Sequence, residues 1–361
     1  MKKILFISGA RPNLIKLAPL LRYIKNKKNI KTKLLHTNQH SNKFLFRNIC
    51  KDLEIGKPNY LINKIRAKNN ISMISYFMNK ISDVIESFKP NFIILFGDVD
   101  TTLAAGLASS KKNYYIFHVE AGLRSKDFKA QEEINRRVVD HIADINFCTT
   151  FNSLKNLQKE GLNKKSYLVG NIIFDNFFNL KKKIDKSKIL KKLLIKKNDF
   201  ILITIHRYQI INYKKKLKKL CELINKFSKS HKIIFSCHSR TKFNLKKYNL
   251  LKTLNRNVIT IDPLNYTDFT KLLISSKLVI TDSGGVHEEA FFHKKKCLIL
   301  REKLEREEFV NSKNIIKINF NNYQKMFKKI LSVNKVNTNK KIKYWDGKVA
   351  KRIYNIIKSK C

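Results

Sequence analysis

The feature that most limits what this chain can fold into is an alternation, run through twice, of short apolar stretches with segments of helical periodicity. In the first half, residues 3–8, 33–36, 91–96 and 114–117 are apolar runs of strand length, and 167–169 predicts the last strand. Between them, 13–24, 71–88, 101–110 and 131–143 carry apolar residues at helical spacing; Leu14, Leu17, Leu20, Leu21 and Ile24 fall on one side of the first. Pro90 ends the second of these helices and Gly170-Asn171 breaks the series. It then restarts, with strands predicted at 200–205, 232–236, 258–261, 278–281 and 297–300 and helices that include 213–227 and 268–275. Such a series in each half predicts an α/β fold of two doubly wound, Rossmann-like parallel-sheet domains. The expected domains are 1–171 and 172–345, with 346–361 carrying a helix (348–357) that crosses back onto the first.

A chain of 361 residues is long enough for two cores. Its 76 Lys+Arg against 27 Asp+Glu give a net charge of +49, which raises nucleic acid or an anionic membrane as partners. The lysines are spread along the whole chain, without a basic arm or a zinc-finger spacing, so no specific nucleic-acid partner is expected. The six cysteines (Cys50, Cys148, Cys221, Cys237, Cys297 and Cys361) include no CxxC pair, and no metal site follows from them. The apolar run after Met1-Lys2-Lys3 is too brief for a signal peptide, and none approaches the ~20 residues of a membrane span. A cytoplasmic location without a membrane span is expected.

In doubly wound sheets the ligand-binding loops follow the strands. Thr281-Asp282-Ser283-Gly284-Gly285 leads from a strand into a helix that Val286–Phe292 allows to begin at once. Free backbone N–H groups and the positive end of the helix dipole then meet at the turn, which suits a phosphate or pyrophosphate. Glu288 and Glu289, expected in the first helical turn, either oppose the dipole or grip a sugar hydroxyl. In the first half, Arg11 and Lys16 follow strand 3–8 as possible phosphate contacts. Asp98, after strand 91–96, is a helix N-cap or a carboxylate facing the ligand. Glu120 stands at a strand end close to Gly122, where an acid is rarely structural. Glu132–Arg136 and Glu133–Arg137 have the spacing of helical ion pairs. His206-Arg207 and His238-Ser239-Arg240 place His and Arg at two strand ends of the second half. The dinucleotide fingerprint G-x-G-x-x-G and the phosphate-binding P-loop are both missing, which argues against hydride transfer and kinase chemistry.

Taken in order, these segments resemble the UDP-N-acetylglucosamine 2-epimerase family, particularly its non-hydrolysing type. The matching residues are Gly9-Ala10-Arg11-Pro12 through Lys16-Leu17-Ala18-Pro19-Leu20, Gln39-His40, Gly97-Asp98, Thr101–Ala104 and His118–Ser125. They continue through Glu132–Arg136, Asp140–Asp144, Gly170-Asn171, His206-Arg207, Thr281–Glu289, Arg301 and Glu305-Arg306. The resemblance implies a glycosyltransferase-B-like pair of domains facing a cleft that holds the UDP-sugar, in a homodimer without cofactor or metal. Carried over by position, Arg11, Lys16, His238, Ser283, Gly284, Gly285, Glu289 and Arg306 become the UDP-sugar grip. Asp98, Glu120 and Glu132 become acid/base carboxylates, and His206 a further catalytic group. The reaction implied interconverts UDP-GlcNAc and UDP-ManNAc by eliminating UDP to a 2-acetamidoglucal and re-adding it, in supply of cell-surface polysaccharide. Three alternatives share these features: a hydrolysing 2-epimerase, a 2-epimerase of a modified UDP-sugar such as a diacetamido uronic acid, and a glycosyltransferase.

Overall fold

The computed structural model describes residues 1–39, 43–63, 65, 67–305, 308, 310, 314–333 and 342–360. Two compact units divide the chain: Met1–Lys181 with Lys341–Cys361, and Lys182–Lys340.

The first unit is built on seven strands: β1 (Lys2–Ser8), β2 (Ile30–His36), β3 (Tyr60–Leu61), β4 (Phe92–Phe96), β5 (Tyr115–Ala121), β6 (Ile145–Cys148) and β7 (Ser166–Leu168). They lie in the order β3-β2-β1-β4-β5-β6-β7, every neighbouring pair parallel. A parallel sheet is covered on both faces, so its strands read as continuous apolar runs; Ile4–Ile7 and Phe92–Phe96 are accordingly buried throughout. Helix Asn70–Phe88 shows the complementary pattern, burying Met73, Phe77, Ile81, Ile85 and Phe88. The Asn69 side chain caps it by accepting from the Ser72 amide at 2.9 Å, and Lys89 ends it in the left-handed conformation ahead of Pro90.

The second unit repeats the plan with β8 (Phe200–Thr204), β9 (Lys232–Ser236), β10 (Val258–Ile261), β11 (Leu278–Thr281), β12 (Cys297–Leu300) and β13 (Ile315–Ile318). The order is β10-β9-β8-β11-β12-β13, again parallel. In both sheets the strand order reverses beside the first strand, between β1 and β4 and between β8 and β11. Loops at such a reversal diverge to opposite faces and leave a crevice at the strands' carboxyl ends.

The C-terminal helix Val349–Ser359 packs in the first unit, with Tyr354 edge-on to Tyr23 of helix Arg11–Lys25 at 5.6 Å. Its first amides, Val349 and Ala350, donate to the Asp175 carboxylate at 3.2 and 2.8 Å. Burial pushes the Asp175 carboxyl up to about 6, although the two amides pull the other way. A folded-state value above the unfolded ~3.9 adds stability that is complete below about pH 4 and is lost as pH rises through about 6. The melting temperature of the wild type minus that of Asp175→Asn is therefore expected to grow as pH falls from 8 to 5. Thermal denaturation at the two values checks this, and a constant difference would contradict it.

Candidate functional site

At the reversal in the first unit, the loops after β1 and β4 are tied together. The Asn13 side chain accepts from the Ala10 amide at 3.0 Å and donates to the Phe96 carbonyl, the end of β4, at 2.6 Å. Gly9 leaves no room for a side chain, since a Cβ there would collide with Thr101. The loop after β2 joins them through Gln39, which donates to Asp100 at 3.1 Å and accepts from the Thr101 hydroxyl at 3.0 Å. Arg11 and Pro12 open helix Arg11–Lys25, where proline's missing N–H is not needed. That first turn contains no acidic residue; its positive end, with Arg11 on it, favours an anion.

Lys16, on the second turn, forms an ion pair with Glu120. Glu120 is 5% exposed and sits at a bulge in β5, between Val119 and Ala121, where the register against β6 shifts. Its φ of 73° is left-handed, a conformation that costs a non-glycine residue roughly 1–2 kcal/mol and aims its side chain out of the strand's alternation. Next to it Gly97, with φ of 67°, turns the chain out of β4. A Cβ on Gly97 would lie 3.1 Å from Lys16 Nζ and 3.4 Å from the Glu120 carboxylate. The Lys16–Glu120 pair and the Gly97-Asp98 turn thus share one spot at the sheet's carboxyl edge. Asp98 is no helix cap: Val99 holds that position, and Asp98 is ion-paired with Arg136.

Arg136 belongs to helix Gln131–Ile142 and is almost fully buried. Besides Asp98 it binds Glu133 at 3.0 Å, and Asn135 beside it donates to the Asp98 carbonyl at 3.0 Å. The expected Glu133–Arg137 pair forms at 3.1 Å, but Arg136 turns to Asp98 and Glu133 in place of Glu132. Glu132 is exposed on the first turn of that helix, one position before the buried Glu133. A chain of charges continues from Arg137 to Glu160 at 3.1 Å, Glu160 to Arg124 at 2.6 Å, Arg124 to Asp140 at 2.7 Å and Asp140 to His118 at 2.7 Å. Burial works against the ionised Asp140, yet hydrogen bonds from His118 and Arg124 hold its carboxyl below the usual carboxylate range.

In the second unit the organising residue is Asp282, at the end of β11 and 0% exposed. Its carboxylate accepts from the backbone N–H groups of His206 at 2.9 Å and Arg207 at 2.7 Å, which follow β8. The His206 ring lies 3.3 Å from Asp282 and 6.0 Å, between ring centres, from His238, which caps helix Ser239–Lys247. Ser283 is the N-cap of helix Gly284–Phe292, and a Cβ on Gly285 would meet nothing within 4 Å, so that helix start is open. Because the helix begins at Gly284, Glu288 and Glu289 lie beyond its first turn and are buried. They do not oppose the dipole at the helix start. Arg207 lies 3.6 Å from Glu305, which Arg301 holds with two hydrogen bonds of 2.6 Å. Arg306, His40 and Cys361 lie outside the described residues. Burial pushes the Cys237 thiol, beside His238, up to about 12, which makes it a poor nucleophile.

Asp282→Ala would remove the acceptor of two amides at once. Each orphaned donor costs about 1–3 kcal/mol, so a loss of roughly 2–6 kcal/mol is expected. Urea denaturation measures the loss, and an unchanged value would contradict the tie that Asp282 makes between the loops after β8 and β11.

The first unit therefore assembles Arg11 and Lys16 with Asp98 and Glu120, and the second assembles His206 and His238 with the Ser283-Gly284-Gly285 turn. Asn13, His118, Arg136, Asp140 and Asp282 hold these groups in place without having been singled out from the sequence for that work. Asn13 and Asp282 lie beside post-strand loops, whereas His118 lies within β5 and Arg136 and Asp140 lie within helix Gln131–Ile142, where position alone gives no signal.

Two doubly wound sheets of this order in one chain define the glycosyltransferase-B-like class of α/β proteins. Residues 22–358 match the family described as UDP-N-acetylglucosamine 2-epimerase. A UDP-N-acetylglucosamine 2-epimerase homolog of Methanococcus maripaludis is 36% identical over 362 residues, covering 99% of both chains. The Pseudomonas aeruginosa UDP-2,3-diacetamido-2,3-dideoxy-D-glucuronate 2-epimerase is 33% identical over 312 residues, covering 85% of this chain and 86% of the relative. The crystal structure of the Methanocaldococcus jannaschii UDP-GlcNAc 2-epimerase with UDP-GlcNAc and UDP superposes with a TM-score of 0.89 at 34% identity, covering 99% of each chain. This chain belongs to the UDP-N-acetylglucosamine 2-epimerase family and is by that membership an isomerase.

Proposed function

We propose that the chain interconverts UDP-GlcNAc and UDP-ManNAc without net hydrolysis. The observation that carries this is the meeting of the Lys16–Glu120 pair with the Gly97-Asp98 turn at the strand-order reversal of the first unit. The C2 proton of an N-acetylhexosamine is not acidic, because no carbonyl neighbours that carbon. Its removal is feasible when UDP leaves C1 as the C2 proton is taken, giving 2-acetamidoglucal and UDP. Re-addition of UDP after protonation from the opposite face then inverts C2. Such chemistry uses carboxylates as base and acid, and Asp98, Glu120 and Glu132 fill those roles here, with His206 assisting. Glu120 is ion-paired with Lys16. A diphosphate that draws Lys16 to itself leaves Glu120 without its counter-ion and so more basic.

Arg11, Lys16, His238, Glu289 and Arg306, with the Ser283-Gly284-Gly285 turn, form the UDP-sugar grip. Backbone N–H groups at the start of helix Gly284–Phe292 face charge that develops on the departing UDP. The enzyme works as a cytoplasmic homodimer and supplies N-acetylmannosaminyl units for cell-surface polysaccharide. Chromatography of the reaction tests the outcome. Sugar that stays attached to UDP is expected, whereas steady release of free ManNAc and UDP would assign a hydrolysing enzyme. The likeness to the diacetamido-glucuronate epimerase supports a second reading, with a modified UDP-sugar as substrate. A panel of UDP-sugars separates the two, and turnover of the uronate alone would favour the second.

A further inference from the structure

We infer that His118 and Asp140 act as a positioning pair that fixes the turns bearing Asp98 and Glu120 relative to each other. The inference rests on the acid/base roles proposed above for those two carboxylates. His118 lies on β5, two residues before Glu120, and is 0% exposed. Its Nε2 is 2.8 Å from the carbonyl of Gly97, the residue before Asp98, and its Nδ1 is 2.7 Å from Asp140. The other Asp140 oxygen accepts from the Gly122 amide, just past Glu120, at 3.1 Å and from Arg124 at 2.7 Å. One His–Asp pair therefore grips the backbone on the near side of Asp98 and on the far side of Glu120.

The atoms it faces determine the state of the ring. A carbonyl only accepts, and so does a carboxylate already receiving Arg124 and the Gly122 amide. Both ring nitrogens must then carry hydrogen, making His118 a buried imidazolium between Asp140 and Gly97. Two donors from one rigid ring set the distance from the β4 turn to helix Gln131–Ile142 in a way that a single donor does not. The segment held this way is unusual: Gly97, Glu120 and Gly122 have φ of 67°, 73° and 79°. At Glu120, which is not a glycine, such a left-handed position persists only where its surroundings over-determine it. Without the pair, the ends of β4 and β5 are held by the strand pairing, which runs to Phe96 and Val119, and by the Gly97 amide to the Val119 carbonyl at 3.0 Å. A misplacement of about 1 Å lowers turnover on the order of 100-fold.

The test combines spectroscopy with kinetics. With selective 15N-histidine labelling, the ring signals that vanish in His118→Gln belong to His118. They are expected to show hydrogen on both nitrogens at neutral pH, and a neutral single-tautomer pattern would overturn the inference. In steady-state assays His118→Ala is expected to lose about 100-fold in kcat with UDP affinity within about 2-fold of wild type. His118→Gln, which restores one donor, is expected to fall between them, as is Asp140→Asn. Wild-type kcat in His118→Ala would overturn the inference while leaving the proposed function intact. If the wild type turns over no UDP-sugar, the proposed function fails, and the NMR result still decides the pair. Should His118→Ala fail to fold, the spectrum of the wild type and the kcat of Asp140→Asn decide it.

Discussion

Glu120→Gln is expected to lower kcat by about 10²–10⁴, the usual contribution of a positioned acid or base, while leaving UDP affinity within a few-fold. Glutamine preserves the shape of the side chain and its place at the β5 bulge but cannot take or return a proton. It also removes the counter-ion of Lys16, so phosphate contacts are retained or strengthened as the proton-transfer step is lost. Asp98→Asn is expected to show a loss of similar size, because Asp98 occupies the adjacent turn. Steady-state assays with a UDP titration separate the two effects. Turnover near the wild-type value in both variants would remove the acid/base assignment.

The second large effect concerns Arg136. Its guanidinium pairs with Asp98 and with Glu133, whose side chain is also buried. Arg136→Met keeps much of the volume but leaves two carboxylates short of their cation. Breaking a buried pair from one side costs about 3–5 kcal/mol. Glu133 retains Arg137 at 3.1 Å, the Ser125 amide at 2.8 Å and the Ser125 hydroxyl at 3.0 Å, which places the expected loss near the lower end. Asp98, with 24% of its side chain accessible, recovers some solvation, but its carboxylate is no longer held. Denaturant unfolding should therefore show a loss of about 3 kcal/mol, with a fall in kcat. A loss under about 1 kcal/mol would mean that Arg136 is a passive neighbour.

The strands that carry both sheets were legible because parallel strands are covered on two faces, and β1, β4, β8 and β11 read as unbroken apolar runs. β6 was not, for a physical reason: Ile145-Asn146-Phe147-Cys148 contains an asparagine that looks like loop chemistry. That asparagine is buried and donates to the Asp140 carbonyl at 2.8 Å, a contact six residues away in sequence that no local pattern announces. Helices Lys43–Asp52, Phe151–Lys159 and Tyr323–Leu331 and strand β13 are likewise not marked by the sequence pattern; each is short.

Post-strand position marks Asp98, Glu120 and the Ser283-Gly284-Gly285 turn as candidates. Which residues hold them was not readable. An aspartate in Thr-Asp-Ser-Gly-Gly looks the same whether it faces solvent or, like Asp282, receives two amides from the loop after β8, 76 and 75 residues earlier. Helical spacing likewise offered Glu132 to Arg136, but spacing alone says nothing of Asp98, which competes for the same guanidinium from another loop. The electrostatics of the site is set by tertiary contacts, and only a weak shadow of them falls on the sequence.

The most direct measurement of the central claim is proton NMR of UDP-GlcNAc incubated with the purified protein in D2O. Removal of the C2 proton and its replacement from solvent should produce UDP-ManNAc signals and deuterium at C2 in both UDP-sugars. A spectrum with neither UDP-ManNAc nor deuterium at C2, from folded protein, would contradict C2 epimerisation of this substrate.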